Sequence, residues 1–446
     1  MPYVTFNRGT RASVELTRGV APTDAAAANS QAASYWWNGG CWVNIITDGI
    51  PDIVDNQATI FAEGFAGRRS KNQYRPVQGR HWSEGGFATV ATPDVLAQLL
   101  YAALGDASVN ALPGGSELAP NIVLTAVGAH NLVTQPTGGG KFLQFDLRPN
   151  AATSMGVSGI EAYGNPASEI LTAATCGVFY TRTAFSSVGA SGINTGTASV
   201  GALTVKSNAG WQYTIIPASG NSGQTLSIDD LGHPAAGATS RSRMHNRMLV
   251  RELTIENDAE GNDGLLMLSA TFLGDPTATC VAPAIDSASI LRIFPGWSLL
   301  VRKESGSGIG TPTWNKVTNF RMNINNESRV YGVANQSRRP VGQFWGGYEV
   351  TGEIGVLVDD EIEFNRWQAA SVLDMFLQWD AGHDMGASNV QLNASLFNAY
   401  VESFPAATDD DGQQVVNLGF RTIDGNDLPV RFLIQCGVPP CALGLA

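Results

Sequence analysis

Gln78-Gly-Arg-His-Trp-Ser-Glu-Gly-Gly-Phe-Ala-Thr-Val90 runs directly into Ala91-Thr-Pro-Asp-Val-Leu-Ala-Gln-Leu-Leu-Tyr-Ala-Ala-Leu-Gly105. The first segment consists of strand-formers punctuated by glycines, which mark bulges or bends. The second has the signals of a helix. Thr92 is placed to cap it, Pro93 suits the first helical position, and Asp94 lies in the first turn. Val95, Leu96, Leu99, Leu100, Ala103 and Leu104 form an apolar stripe, and Gly105 can close the helix at C′. Upstream, residues 57–68 and 76–91 read as strands.

The pattern returns downstream. Gln343-Phe-Trp-Gly-Gly-Tyr-Glu-Val-Thr-Gly-Glu-Ile-Gly-Val-Leu-Val358 is again a glycine-punctuated strand. It enters the acidic helix start Asp359-Asp360-Glu361, and the spacing of Phe364 and Trp367 predicts a helix over 361–378. Laying Gly79 on Gly346 gives a shift of 267, which also pairs His81 with Tyr348, Gly85 with Gly352, Phe87 with Ile354 and Val90 with Leu357. Arg75-Pro76 matches Arg339-Pro340 once three residues are inserted, and the basic pairs Arg68-Arg69 and Arg338-Arg339 are similarly placed. The order of strand, Gly-rich strand and capped helix predicts an internal duplication.

Hairpins surround these units. Leu249, Arg251, Leu253 and Ile255 alternate with Val250, Glu252, Thr254 and Glu256, a turn follows at 257–264, and Leu266, Leu268, Ala270 and Phe272 alternate back. Lys316–Asn325 has the same texture. Val415–Thr422 and Leu428–Gln435 read as a hairpin around Asp424-Gly-Asn426. Some 140 residues separate the first helix from the strand at 249, too many for a loop in a compact domain. Residues 120–220 are poor in charge and rich in Gly, Ser, Thr and Ala, with short strand-like runs at 141–147, 177–181, 199–205 and 211–217. The expected organisation is an N-terminal arm (1–34), a first domain (35–275) carrying an inserted β-rich module at about 120–220, a linker (276–285) and a second domain (286–446). The fold class is mainly β, each domain a β-sandwich or barrel with a flanking α-helix.

Composition restricts the function. The chain has 446 residues, 15% charged and 50 of them glycine, with a formal net charge of −12. Such a low charge content suits surfaces buried in an assembly, because interface cores are depleted of charge. The acidic balance opposes a nucleic-acid-gripping footprint, yet negative walls would let a polyanion pass without sticking. No apolar stretch reaches the ~18–20 residues of a membrane span, and Met1–Arg8 lacks the pattern of a secretory signal. Cys41, Cys176, Cys280, Cys436 and Cys441 are too scattered for a disulfide framework and read as buried thiols.

Gly138-Gly-Gly-Lys141 lacks the earlier Gly of a phosphate loop and has Phe142 where Ser or Thr is required, so it reads as a turn. No Gly-x-Ser-x-Gly elbow is set between a strand and a helix. His81, His130, His233, His245 and His383 show no metal spacing. The acidic runs Asp258–Asp263 and Asp409–Gly412 lack the spacing and terminal Glu of an EF-hand. Catalytic, cofactor-binding and metal residues are therefore expected to be none.

Three stretches carry a resemblance to a known family: Pro76–Gly105; Gln224-Thr-Leu-Ser-Ile228 with Met248–Gly274; and Val317–Asn326 with Gly346-Gly-Tyr-Glu-Val-Thr-Gly352 and its helix. In their order and texture they resemble the tail tube (major tail) proteins of long-tailed bacteriophages, in the two-domain duplicated form. The resemblance spans about half the chain. It implies a non-enzymatic virion subunit that partners itself in stacked rings, trimeric and pseudo-hexameric, assembled in the host cytoplasm. Inner sheets would join into a barrel around an acidic lumen, through which double-stranded DNA passes without specific binding. Tail terminator, tape measure and tail-tip proteins are the implied further partners; no cofactor and no membrane is implied. Glu84, Glu349 and Glu353 are the candidate lumen-facing residues, Glu349 and Glu353 being four apart and so on one face of an unbulged strand. The module at 120–220 is expected on the outer surface. Two other readings stand beside this one: another virion component (capsid, decoration or tail-tip), or a carbohydrate-binding β module. A module of that kind needs a platform of exposed aromatics.

Overall fold

The computed structural model describes residues 8–14, 43–45, 47, 51–60, 77–112, 115–124, 128–136, 141–148, 153–161, 164–173, 177–181, 185–195, 201–208, 210–220, 224–232, 241–258, 264–281, 293–304, 314, 317–331, 342–344, 346–357, 362–385, 388–405, 408–410, 413–423 and 428–437. Arg68-Arg69, Arg338-Arg339, Cys41, Cys176, Cys441, His233 and the turn at 259–263 lie outside them. Every strand pairing among the described residues is antiparallel, in keeping with a mainly-β fold.

The chain opens with β1 (Arg8–Val14), β2 (Val43–Ile45), β3 (Asp52–Ile60) and β4 (Val77–Val90), followed by α1 (Pro93–Leu104) and β5 (Gly105–Ala111). Eight strands then form the inserted module: β6 (Glu117–Leu124), β7 (Gly128–His130), β8 (Leu143–Arg148), β9 (Thr153–Glu161), β10 (Pro166–Ala173), β11 (Gly177–Tyr180), β12 (Phe185–Thr195) and β13 (Gly201–Ser207). The chain returns through β14 (Trp211–Pro217), β15 (Leu226–Gly232), β16 (Arg241–Asp258), β17 (Leu266–Gly274) and β18 (Ala278–Val281). The second half holds β19 (Leu300–Glu304), β20 (Val317–Asn325), β21 (Arg329–Tyr331), β22 (Gly342–Phe344), β23 (Glu349–Leu357) and α2 (Ile362–Gln368). It ends with β24 (Val372–Met385), β25 (Ser388–Ser403), β26 (Thr408–Asp410), β27 (Gln413–Thr422) and β28 (Val430–Cys436).

α1 begins at Pro93, whose fixed φ is ready-made for a first helical turn. Thr92 contributes its carbonyl to Leu96 N–H (2.9 Å) but makes no side-chain cap. Gly105 ends the helix with φ +90°, a left-handed conformation that a Cβ would strain. All twelve helical residues are buried, because layers lie on both sides: β16, β1 and β2 on one, β5, β14 and β28 on the other.

One sheet joins the two halves. Its order is β3–β4–β17–β16–β20–β23–β27, and the C-terminal end of β25 continues it beyond β27. A single apolar core lies beneath it, drawing Phe87, Leu253 and Phe272 from the first half and Phe320, Ile354 and Phe420 from the second. Phe320 packs against Phe420 and Trp379 with ring centroids 6.1 and 5.9 Å apart.

The two halves follow the same order of pairing. In the first, β3 pairs β4, β4 pairs β17, β17 pairs β16, and β16 also pairs β15 and β18, with β1 beyond β15. In the second, the same sequence of contacts runs β20, β23, β27 and β25, then β24 and β28, with β19 beyond β24. The irregularities recur too. β16 turns through Arg247 (φ 53°) and β25 through Asn398 (φ 51°), an offset of 398 − 247 = 151. The same offset carries the bulge between Val250 and Glu252 onto that between Val401 and Ser403. The break between Leu226 and Ile228 opposite β16 likewise matches that between Leu373 and Met375 opposite β25. With Gly86 laid on Glu353 (353 − 86 = 267), their partners Asp52 and Arg321 fix the offset for β3 and β20 as 321 − 52 = 269.

Several expectations require correction. The helix expected over 361–378 stops at Gln368; Ala370 turns the chain with φ 50°, and β24 follows. There Leu373, Met375, Leu377 and Trp379 are all buried, a period of two that marks a strand with one face in the core. Strands β27 and β28 do not pair with each other; both pair with β25, on the two sides of its bend at Asn398. The arm at 1–34 contains β1, an integral strand pairing β15 and β2, with buried Arg11 bonded to buried Asp229 at 3.1 Å. The linker at 276–285 contains β18, paired to β16. Strand β3 starts earlier than 57–68, at Asp52, and residues 61–68 lie outside the described set.

The inserted module is a sandwich of two four-stranded sheets, β10–β9–β12–β7 and β11–β8–β13–β6. Its separate core includes Leu118, Phe145, Val157, Phe185, Ile193 and Leu203. The run at 211–217 does not belong to it. As β14 it pairs β5 and β28 in the main body, so the sandwich is narrower than 120–220 and stands on a β5–β14 stem.

Candidate functional site

The face of the joining sheet turned away from the core is polar and open. Along β23, Val350, Ile354 and Val356 are buried, whereas Glu349 and Thr351 are half-buried and Glu353 is exposed. Register then places their neighbours. Glu353 lies beside Arg321, which lies beside Glu256; Thr351 lies beside Asn323 and then Thr254; Glu349 lies beside Asn325 and then Glu252. On β4, Glu84 shares this face with Gly86 and Ala88, opposite buried Phe87 and Thr89. The three residues named from the sequence thus come to one side of one sheet.

Polar contacts lace this face. Glu84 accepts from Asn56 Nδ2 (2.5 Å) and from Trp82 Nε1 (3.3 Å). Asn323 Nδ2 donates to Glu252 Oε1 (2.7 Å), and Arg321 faces Glu256 at 4.0 Å, so both contacts cross between the halves. Arg421 binds Glu349 and, at 2.7 Å, Glu402. Such half-exposed pairs contribute ~1 kcal/mol or less each, enough to set orientation rather than stability. Asp52, Glu84, Glu252, Glu256, Glu349 and Glu353 stand on the face against Arg321, Arg421 and Arg80 at its margin, which leaves it acidic.

Sequence reasoning missed Glu252, Glu256, Arg321 and Arg421. The alternation at 249–256 was the available signal, since Leu253 and Ile255 inside require Glu252 and Glu256 outside. The glycines of these strands serve close contacts inside the chain. Gly85 has φ +140°, and a Cβ on it would stand 1.7 Å from Asp52 O; one on Gly352 would meet the Phe420 ring at 2.3 Å.

The sheet has two free edges among the described residues. β3 pairs only with β4, and Val54 on it is 48% exposed. At the other end, β25 beyond Tyr400 and β26 pair only with β27. Unpaired edges are templates for another chain.

Behind the face, His245 is buried with Nδ1 3.4 Å from Ser83 Oγ and 3.3 Å from Thr277 Oγ1. Ser83 donates to Asp55 Oδ1 (2.5 Å), as does Thr277 N–H (3.0 Å). Ser, His and Asp meet here in the wrong order for nucleophilic catalysis: the fully buried hydroxyl gives its proton to the carboxylate, not to the imidazole. Burial pushes the Asp55 carboxyl up, but the hydrogen bonds from Ser83 and Thr277, with His81 nearby, outweigh it and hold the group below its usual range. Burial also lowers His245, against the pull of Asp55 and Asp230, so the ring is held neutral. This cluster ties β3, β4 and β16 together.

Among the described residues no helix is long and apolar enough to cross a membrane. No protein-family model and no curated protein matches the chain.

Proposed function

We propose that the chain is a tube-forming structural subunit of the kind found in the tails of long-tailed bacteriophages. Its two halves are copies of one unit, and three chains close into a pseudo-hexameric ring. The observation that carries this reading is the β16–β20 ladder. It joins the C-terminal part of one unit's long strand to the first strand of the next unit, inside a single chain. The corresponding strands of the opposite units, β25–β26 and β3, are the two free edges. Repeating the internal ladder between chains pairs Ser403 of one copy with Asn56 of the next, as Glu252 pairs with Asn325. A heterologous contact of this kind, closing on itself, leaves no edge exposed.

The acidic open face then lines the lumen, where repulsion keeps phosphates from binding as the genome passes. The module, with its own core on a two-stranded stem, decorates the outside. The tail terminator, tape measure and tail-tip proteins would meet the ends and interior of the stacked rings. Among the described residues only Trp297 and Tyr348 are large exposed aromatics, which is not the platform a carbohydrate-binding module needs.

Electron microscopy of the purified protein tests the reading. Rings or tubes with threefold averages are expected; closed shells, or monomers at every concentration, would overturn it. Tubes carrying Glu349→Lys and Glu353→Lys should form normally and retain double-stranded DNA in a filter assay, whereas the unaltered tubes release it. Equal release would remove Glu349 and Glu353 from the lumen.

A further inference from the structure

Inside the chain, the second half closes the C-terminal end of α1 with one side chain. Asn326, immediately after β20, is 2% exposed. Its Nδ2 donates to Ala103 O (2.7 Å) and Val250 O (3.2 Å), and its N–H donates to Arg251 O (2.9 Å). Strand β28 of the second half packs over the same helix. A junction between halves therefore has two parts, an inner ladder and an outer helix seat.

The offsets transfer each part to the free ends. Asn326 corresponds to Gln57 on β3, which is exposed; Ala103, Val250 and Arg251 correspond to Ala370, Val401 and Glu402. Ala370 is exposed at the end of α2. β28 corresponds to β18, since Ser395 pairs Arg431 as Met244 pairs Ala278. Resting on the ring reading, we infer that α2 is an interface helix seated on a second copy of this chain. Gln57 of that copy hydrogen-bonds the Ala370 and Val401 carbonyls, and β18 of that copy covers the helix.

The chemistry of α2 fits such a seat. Where α1 has Ala97 and Leu100, α2 has Phe364 and Trp367. These pack with Phe404 at centroid distances of 5.7, 5.4 and 6.2 Å, and all three remain half-buried. α1 is enclosed partly by β5 and β14, the two strands on which the inserted module stands. The corresponding place after α2 is the turn 369–371, so no strand stands there. Large aromatic side chains supply the volume instead, and Trp at the centre of a contact is a typical energetic anchor.

The test mixes two singly substituted proteins, Gln57→Cys and Ala370→Cys, under mild oxidation. A disulfide-linked dimer is expected from the mixture and not from either protein alone. Gln57→Ala and Trp367→Ser should each raise the concentration needed for ring assembly at least tenfold, by sedimentation, while circular dichroism of the unassembled chain stays unchanged. Gln57→Ala touches no core residue, so it reports on assembly even if Trp367→Ser unfolds. Absence of rings in the unaltered protein would overturn the tube reading itself. Rings that form without the 57–370 link, and at an unchanged threshold for Gln57→Ala, would overturn the helix seat alone.

Discussion

α1 and α2 hold corresponding places in the two halves, yet every residue of α1 is buried while Asn365 and Gln368 of α2 are exposed and Trp367 is half-buried. Their own sequences do not account for the difference. α1 lies between two layers, and the outer one is made of the stem strands β5 and β14 and of β28 from the second half. α2 rests on β25. The same strand–helix unit is thus a finished core in one setting and a half-covered surface in the other. How much of an amphipathic helix is buried depends on what the rest of the assembly brings to its far side.

The comparison can be broken most forcefully in the shared core. Phe272 and Phe420 occupy corresponding positions, on β17 and β27, 1% and 2% exposed. Phe272→Ala and Phe420→Ala should each cost about 3–5 kcal/mol in denaturant unfolding. A single transition is expected for both, because one sheet and one core run through both halves; two separate transitions would show that the halves fold independently.

A smaller effect is expected at the bends. Asn398 sits in the left-handed region, which Asn tolerates and β-branched residues do not. Asn398→Val should lower stability by about 1–2 kcal/mol, and Asn398→Gly should leave it within ~0.5 kcal/mol of the parent. Arg247→Val in the first half should reproduce the loss. Equal melting temperatures for Asn398→Val and the parent would show that the bend does not depend on this residue.

The smallest effect separates the halves by pH. His245 in the first half corresponds to Leu396 in the second. The folded chain holds His245 below its usual range, so unfolding takes up a proton once the pH falls below the unfolded value of ~6.5. Stability is full above that value and declines as the pH drops toward the folded pKa. His245→Leu should flatten this part of the stability profile; a slope unchanged by the substitution would assign the pH dependence to other groups.

Legibility followed the local signal. Most of the hairpin at 249–256 and 266–272 was readable because Leu253 and Ile255, like Leu266, Leu268, Ala270 and Phe272, recur with a period of two; the bulge between Val250 and Glu252 was not. α1 was readable from Pro93, its stripe and Gly105. The end of α2 was not. Val372-Leu-Asp-Met-Phe-Leu-Gln-Trp379 is apolar enough for either period, and the turn at Ala370 has no glycine to announce it. β1 was missed for the opposite reason: Arg8-Gly-Thr-Arg-Ala-Ser-Val14 looks like a solvated arm, and Asp229 on a distant strand helps make burial of Arg11 tolerable. Of the candidate face, Glu349 and Glu353 were placed together by strand alternation alone. Glu84 could not be, since its relation to them passes through three intervening strands.

The sequence by itself determined the mainly-β class and the acidic balance, and it pointed to a recurring strand–helix unit at a shift of 267 and to a β-rich stretch after the first helix. These are local or compositional properties, written in periodicity, glycine placement and charge. Only the tertiary structure decided that the halves share one sheet, that six acidic residues from four strands meet on its open face, and that its two outer edges correspond to the joined strands within. Strand pairing is a contact between residues far apart in the chain, and backbone hydrogen bonds are the same whatever the side chain. Which edge meets which is therefore fixed by the packing of the whole core beneath the sheet.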